Sequence, residues 1–317
     1  MRLEKASVPT RRAFSERLVE YGEINKDFVV FESDIGYSTY SYLFGEKYPA
    51  RYFNFGIAEV STMAAAAGVA TSGRTVVVSG YGVFLTMRAL EVVRSFICYP
   101  NLNVKILSSH GGVTAAIDGV THQATEDVAF MSTIPNMKVL APCDPVSASA
   151  MVDLAISTPG PVFTRLMRDA LFEVYSDNTG FKIGGSNVLR EGSDVTIAAY
   201  ADMVFQALEA ADRLQAQGIS AEVIDMYSVK PFDEDSLRLS IEKTGALLVV
   251  ENHQKRNGLG YMISNWLIKQ RKNILFDNIG LDDTFAESGK YQLVIHKYGL
   301  DADAIEERTK KLLKDKE

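Results

Sequence analysis

Apolar residues along this chain gather in short, nearly unbroken runs. A first series comprises "DFVVFES", "TVVVSG", "NVKILSS", "KVLAP" and "PVFTRL"; a second comprises "DVTIAAY", "AEVIDM", "ALLVVEN" and "ILFDNIG". Runs rich in Val, Ile and Leu, without polar alternation, are expected of strands covered on both faces. Between them the apolar period lengthens to that of a helix, over Arg11–Tyr21, Glu59–Ala70, Phe84–Tyr99, Asp144–Ser157, Met203–Gln217, Leu259–Lys272 and Asp301–Lys314. Strands alternating with helices predict mainly parallel sheets with helices on both faces. The alternation fails between Arg168 and Glu191, where Gly, Asp, Asn and Ser accumulate. The expected fold class is therefore α/β with two consecutive domains, residues 7–170 and 185–317, joined by a linker at 171–184. Low-complexity tracts and solenoid repeats are absent from the sequence.

Composition narrows the function classes. The chain has 317 residues, 47% apolar and 23% charged, with a formal charge of −7. That mix is ordinary for a water-exposed globular protein. An acidic balance argues against tracking a nucleic-acid backbone, while leaving room for a local basic pocket. The opening segment "MRLEKASVPTRRAFSERL" lacks the apolar run of a secretory signal, and no window is apolar enough to span a membrane. The two cysteines, Cys98 and Cys143, form no C-x-x-C pair and read as reduced thiols. A cytoplasmic location is the expectation.

Candidate chemistry lies where parallel strands end, because ligands of open α/β sheets bind beyond the carboxyl ends of the strands. "NVKILSSHGG" places His110 at such an end, and "FVVFESDIG" does the same for Asp34. The stretch "SSHGGVTAAIDGVTHQATED" holds His110, Asp118 and His122, two of the chain's four histidines among them. A Gly-rich surface loop with solvated histidines would explain either one alone. Zinc needs a completing pair of His or Cys ligands, and the spacing offers none. Imidazoles at these positions could instead donate to a carbonyl, hydroxyl or phosphate oxygen, and Asp118 could accept from a sugar hydroxyl.

Three other segments carry weaker signals. Glu59 opens "EVSTMAAAAGVATSG", a helix of small residues; taken alone it is a helix-dipole carboxylate worth about 0.3–1 kcal/mol. "GPVFTRLMRD" ends with Arg165 and Arg168, whose planar forks suit phosphate or carboxylate; for Arg165 a surface salt bridge is the simpler reading. "GYGVFLTMRALEVVRSF" is not the G-x-G-x-x-G of a dinucleotide site, and Phe84, Met87 and Leu90 recur at helical spacing that core packing would explain.

Taken in order, "DIGYS", "NFGIAE", "GYGVFL", "HGGVTAAIDGVTHQ" and "GPVFTRLMR" resemble the transketolase family, and "VVENHQKRNGLG" and "KYGLDADAI" extend the resemblance through the C-terminal part. The resemblance implies a pyrimidine-binding domain followed by a transketolase C-terminal domain, and a thiamine diphosphate cofactor. The family's pyrophosphate-binding domain, with its G-D-G and Asn element for Mg²⁺ or Ca²⁺, has no counterpart here: the only D-G pair is Asp118-Gly119, preceded by Ile117. The chain thus resembles the C-terminal subunit of a split transketolase. Its implied partner is an N-terminal subunit that carries the metal ligands, in a heterotetramer, and no metal ligand is assigned to this chain.

The resemblance also distributes roles. It implies that Glu59 hydrogen-bonds the pyrimidine ring, that Phe84 stacks on it, and that Met87 and Leu90 stand where many family members have further aromatics. Asp118 and His122 match residues that face the donor ketose, and His110, Arg168 and Ser38 match a grip on the distal phosphate. Asp34 matches a residue near the cofactor and the subunit contact. The reaction implied is transfer of a two-carbon ketol unit from a ketose phosphate, or a similar anionic ketose, to an aldose. Alternatives are a 1-deoxyxylulose-phosphate synthase-like subunit, the β subunit of a 2-oxoacid dehydrogenase, whose substrate loop finds no match here, and a non-catalytic regulatory subunit of the same fold. Retention of Glu59, Asp118 and His122 together speaks against the last.

Overall fold

The computed structural model describes residues 4–176 and 180–314. Residues 177–179, within the expected linker, and 315–317, at the end of the expected second domain, lie outside the described residues. Twelve strands are numbered here in chain order: β1 (Phe28–Glu32), β2 (Tyr52–Asn54), β3 (Thr75–Tyr81), β4 (Val104–Ser109), β5 (Lys138–Leu140), β6 (Val162–Arg165), β7 (Asn187–Arg190), β8 (Val195–Ala199), β9 (Ala221–Asp225), β10 (Ser228–Lys230), β11 (Ala246–Gln254) and β12 (Leu275–Leu281).

All nine apolar runs form strands. They build a seven-stranded sheet in the order β10-β5-β6-β4-β3-β1-β2 and a five-stranded sheet in the order β12-β11-β8-β9-β7. Every pairing is parallel except β10 with β5 and β7 with β9, both at sheet edges. Each residue of β1, β4, β6, β8 and β9 is buried, which explains their unbroken apolar character. β10 follows β9 in the chain but joins the first sheet, so the two sheets are tied through one excursion.

The linker is pinned rather than free over its described part. Phe172 bridges to Lys5. The amides of Val174 and Tyr175 donate to one Asp144 oxygen at 2.9 and 2.8 Å, while its other oxygen caps the helix Pro145–Ser157.

Two expectations are corrected. Phe84–Tyr99 is not one regular helix. It opens and closes with wide turns, Phe84–Arg88 and Val93–Cys98, and Ala89 between them leaves helical geometry at φ −96°, ψ 10°. In the closing turn the amide of Tyr99 reaches back five residues to the carbonyl of Arg94. Such expanded turns are frequent at functional sites because they re-aim the side chains that follow. The second correction concerns Arg165. It makes no surface salt bridge; it is 1% exposed and donates to buried Asp127 at 2.9 Å and to the carbonyls of Ala124 and Asn252. The sequence shows a cation at a strand end, but not that a carboxylate and two carbonyls close over it.

Candidate active site

The strand order explains where the chemistry gathers. β6, β4, β3 and β1 are neighbours and parallel, so their carboxyl ends open on one edge. From that edge β1 leads to Asp34 and, on the short helix Gly36–Thr39, to Ser38; β3 ends at Tyr81; β4 leads to His110; β6 leads to Arg168. Asp34 and His110 both turn the chain at positive φ, 63° and 64°, a conformation non-glycine residues seldom adopt and one that clusters at functional sites.

Tyr81 is the hub of this edge. Its hydroxyl lies 2.7 Å from that of Ser38, and its ring is 4.2 Å from the imidazole of His110 and 5.7 Å from that of His122. Phe84 meets His122 edge-on at 5.3 Å. Arg168 completes the cluster by pairing with Asp118 at 3.7 Å and with Asp169 at 3.1 Å. Ser38, Phe84, His110, Asp118, His122 and Arg168 are thus brought together through direct neighbours. Met87 lies half-exposed on the wide-turn segment with Phe84. Asp34 is exposed and exchanges hydrogen bonds with Asn54 at 3.0 and 3.1 Å.

The sequence reading missed Arg11. Its guanidinium donates to the carbonyls of Ser38 and Arg168, and lies 3.5 Å from Nε2 of His110. The Ser109 hydroxyl donates to the carbonyl of Gly80, so Nδ1 of His110 donates to the Ser109 oxygen at 2.9 Å and Nε2 faces Arg11 as an acceptor. Burial, reinforced by Arg11, Arg168 and His122, pushes His110 down to about 2. The imidazole is therefore neutral at physiological pH, and the positive charge here belongs to Arg11 and Arg168. A signal existed in the sequence. Arg11 and Arg12 stand in the first turn of the helix Thr10–Ile24, where the helix dipole disfavours cations unless an anion is served.

His110 makes stability depend on pH. An unfolded chain takes up a proton at this imidazole near pH 6.5, whereas the folded chain does not until about 2. Its stabilising contribution is thus complete above about pH 6.5 and drains below it, by ~1.4 kcal/mol per pH unit. In His110→Gln this slope should vanish, so the wild-type minus variant difference in urea midpoint should shrink steadily from pH 6.5 to 5. A constant difference would contradict a neutral His110.

Glu59 occupies the first turn of the helix Glu59–Ala70, where its charge meets the positive end of the dipole. Its side chain is only 7% exposed, and both carboxylate oxygens lie near Arg88, at 3.2 and 3.4 Å. Arg88 is 52% exposed and lies 4.3 Å from the centre of the Phe84 ring. A half-exposed cation therefore bridges the carboxylate and the aromatic face.

Among the described residues, the one group of three His or carboxylate side chains spaced to hold a metal is His296, Asp301 and Asp303. His296 and Asp303 stand on the two closing helices, Tyr291–Lys297 and Ala302–Lys314, with Asp301 between them, and Glu59 and Asp118 are not in the group. Among the described residues no helix is long and apolar enough to cross a membrane.

Comparison with known proteins gives a consistent picture. The family pattern described as "Transketolase, pyrimidine binding domain" matches residues 6–173, and "Transketolase, C-terminal domain" matches 184–305. The chain is 34% identical to one of the subunits of the apulose-4-phosphate transketolase of Phocaeicola vulgatus, over 94% of this chain and 95% of that one. It is 35% identical to the SqwH chain of the 6-deoxy-6-sulfo-D-fructose transketolase of Clostridium sp. strain MSTE9, over 93% and 91% respectively. A solved structure titled "Split gene transketolase, inactive beta4 tetramer" superposes with a TM-score of 0.91 at 41% identity, covering 97% of this chain and 99% of that one.

Proposed function

Because this chain belongs to the transketolase family, we propose that it is the C-terminal subunit of a two-chain transketolase, moving a two-carbon ketol unit from an anionic ketose to an aldose. The observation that carries this reading is the shared edge: a buried carboxylate at a helix start, two imidazoles and an aspartate on one loop, and two arginines behind them. We take residues 7–170 and 185–317 as its domains with 171–184 as linker. The subunit is assigned to the cytoplasm, with which its two buried, unbridged cysteines agree.

The family depends on thiamine diphosphate, and the residues present fit half of that cofactor. Glu59 offers a buried carboxyl linked through Arg88 to the Phe84 ring, a pairing suited to one nitrogen and one face of a pyrimidine ring. Among the described residues, no group of three carboxylates or imidazoles spaced to hold the Mg²⁺ or Ca²⁺ of the diphosphate includes Glu59 or Asp118. When bound, the cofactor supplies an electron sink for the carbanion that ketol transfer needs. Glu59 holds a proton at the pyrimidine nitrogen. His122 donates toward the oxygen at the donor's carbonyl end, and Phe84 limits its tilt from one side. Asp118 accepts from a sugar hydroxyl. Arg168 and Arg11 take the anionic tail, with His110 and Ser38 fixing Arg11 between them.

The tail's identity stays at the level of charge. One relative is named for a phosphorylated sugar and another for a sulfonated one. A guanidinium fork accepts either group. Arg168→Ala should raise KM for a phosphorylated donor by tens-fold, about 1.5–3 kcal/mol, with little change in kcat, because a tail contact is alike in ground and transition states. Arg11→Ala should act in the same direction. Variants that discriminate phosphorylated from unphosphorylated sugars as well as wild type would remove these arginines from the grip.

An assay of the chain reconstituted with its partner tests the reaction class. Consumption of a ketose donor with aldose elongation and no carbon dioxide release supports ketol transfer. Carbon dioxide release from a 2-oxoacid would support the 1-deoxyxylulose-phosphate synthase-like alternative, and failure to bind cofactor with any partner would support a regulatory role.

A further inference from the structure

The loop carrying His110, Asp118 and His122 is closed on itself only where Gly112 and Ala124 exchange backbone hydrogen bonds at 2.7 and 3.2 Å. Four of its residues have positive φ: His110 at 64°, Gly112 at 61°, Ala116 at 46° and Gly119 at 80°. A chain threaded through such conformations keeps them only where its surroundings over-determine them. Beside that bridge and a hydrogen bond from Gly111 to Leu166 at 3.0 Å, the second sheet supplies much of those surroundings. Asn252, fully buried near the carboxyl end of β11, accepts from the amide of Val113 at 2.9 Å. The other end of its side chain donates to Asp202 at 2.6 Å, and the same Asp202 oxygen accepts from Tyr291 at 2.7 Å. This fixes the amide's orientation, since the flipped form would set its carbonyl against a carboxylate and its NH₂ against an N–H.

The fit on the loop side is equally tight. A Cβ at Gly112 would lie 2.5 Å from the side chain of Asn252, and one at Gly119 would lie 2.5 Å from Ser288. The backbone carbonyl of Asn252 accepts from Arg165, which also donates to Ala124 just beyond His122. Further along, the backbone amide of Gln254 donates to the carbonyl of Thr125 at 2.8 Å. The C-terminal part of the chain thus touches the loop before Val113, beside Gly119 and after His122.

We propose that Asn252 is a positioning residue for ketol transfer: with Asp202 and Tyr291 behind it, it clamps the turn at Gly112–Val113 and so aims Asp118 and His122 at the substrate and keeps His110 behind Arg11. This rests on the assignment of Asp118 and His122 to the sugar and of Arg11 to its anionic tail. It gives the C-terminal part of the chain a role in catalysis without any atom of it touching substrate. Glu59 stands on a different element, the helix Glu59–Ala70, so cofactor binding and proton exchange at the cofactor are expected to depend far less on the clamp than sugar turnover does.

The test uses the chain reconstituted with its partner subunit, thiamine diphosphate and Mg²⁺. Two variants are compared: Asn252→Ala, and the exchanged pair Asn252→Asp with Asp202→Asn. In the exchanged pair the carboxylate moved to position 252 accepts from Val113, while the amide moved to position 202 supplies the donor, and the net charge beside Arg165 is unchanged. Displacing catalytic groups by about an ångström costs on the order of 10²-fold. Asn252→Ala should therefore lower kcat/KM for the sugar donor by roughly 10- to 100-fold, while cofactor affinity and exchange of the cofactor's C2 proton stay within about two-fold. The exchanged pair should recover most of the loss, which a mere filler of space would not do. The clamp is overturned if Asn252→Ala retains full transfer, if cofactor affinity falls in step with transfer, if the exchanged pair assembles yet is as impaired as alanine, or if neither variant assembles. An inactive unmodified complex defeats the ketol-transfer reading and the clamp with it; an active one with an unaffected Asn252→Ala defeats the clamp alone.

Discussion

Replacement of Glu59 by Gln or Ala should leave a folded, assembling subunit whose turnover is lower by roughly 10²–10⁴-fold, the usual range for lost general acid–base help. The carboxyl group is the only titratable side chain on the first turn of its helix, and it reaches the proposed pyrimidine face from a nearly buried position. Glutamine keeps the shape but can neither accept nor return a proton at the ring nitrogen. Folding should survive for two reasons. The charge at the helix start is worth only about 0.3–1 kcal/mol. Its partner Arg88 is 52% exposed, so losing the carboxylate strands no buried cation. The decisive readout is deuterium exchange at C2 of thiamine diphosphate in the reconstituted complex. Near-normal exchange in Glu59→Ala would remove Glu59 from its role, however low the overall rate.

The site was legible in the sequence to the extent that its residues announce themselves by type and spacing. His110, Asp118 and His122 share one segment, and the unbroken apolar runs put His110 and Asp34 at strand ends. The sheet order then supplies what spacing lacks, since β1, β3, β4 and β6 are neighbours only in three dimensions. Arg11 stayed hidden because it lies 157 residues from Arg168 and reaches it through a backbone carbonyl, which no residue type reports. Tyr81 stayed hidden because a lone aromatic after a strand reads as core. The wide turns at Phe84–Arg88 and Val93–Cys98 escaped because their apolar spacing mimics a regular helix. Arg165 was misread for the opposite reason: its burial depends on Asp127 and on the carbonyl of Asn252, contributed from 38 and 87 residues away. Elements too short or too marginal to print a period were also missed, among them the edge strands β2, β7 and β10 and the helix Tyr291–Lys297.

The second large effect concerns the chain by itself. The proposed cofactor carries a diphosphate whose Mg²⁺ or Ca²⁺ needs about six or more oxygen ligands. Among the described residues the only grouping spaced for a metal is His296, Asp301 and Asp303, which lies outside the Tyr81 cluster. Apolar side chains are left in water: Ile57 and Val60, beside Glu59 in the chain, are 75% and 47% exposed, and Phe53, Met87 and Tyr37 are 45%, 49% and 80% exposed. Exposed apolar side chains in such number mark a surface that is covered in the working assembly. We take the cover to be an N-terminal subunit with the pyrophosphate-binding domain, in a heterotetramer of two chains of each kind, by analogy with the closed symmetry most oligomers adopt.

The central claim is that this chain holds half of a thiamine diphosphate site. Calorimetric titration of thiamine diphosphate with Mg²⁺ into the purified chain, paired with a ketol-transfer assay on the same sample, tests it most directly. No saturable heat at micromolar cofactor and no transfer are expected, with both appearing when the partner is added. Micromolar binding and sustained turnover by the single chain would contradict it.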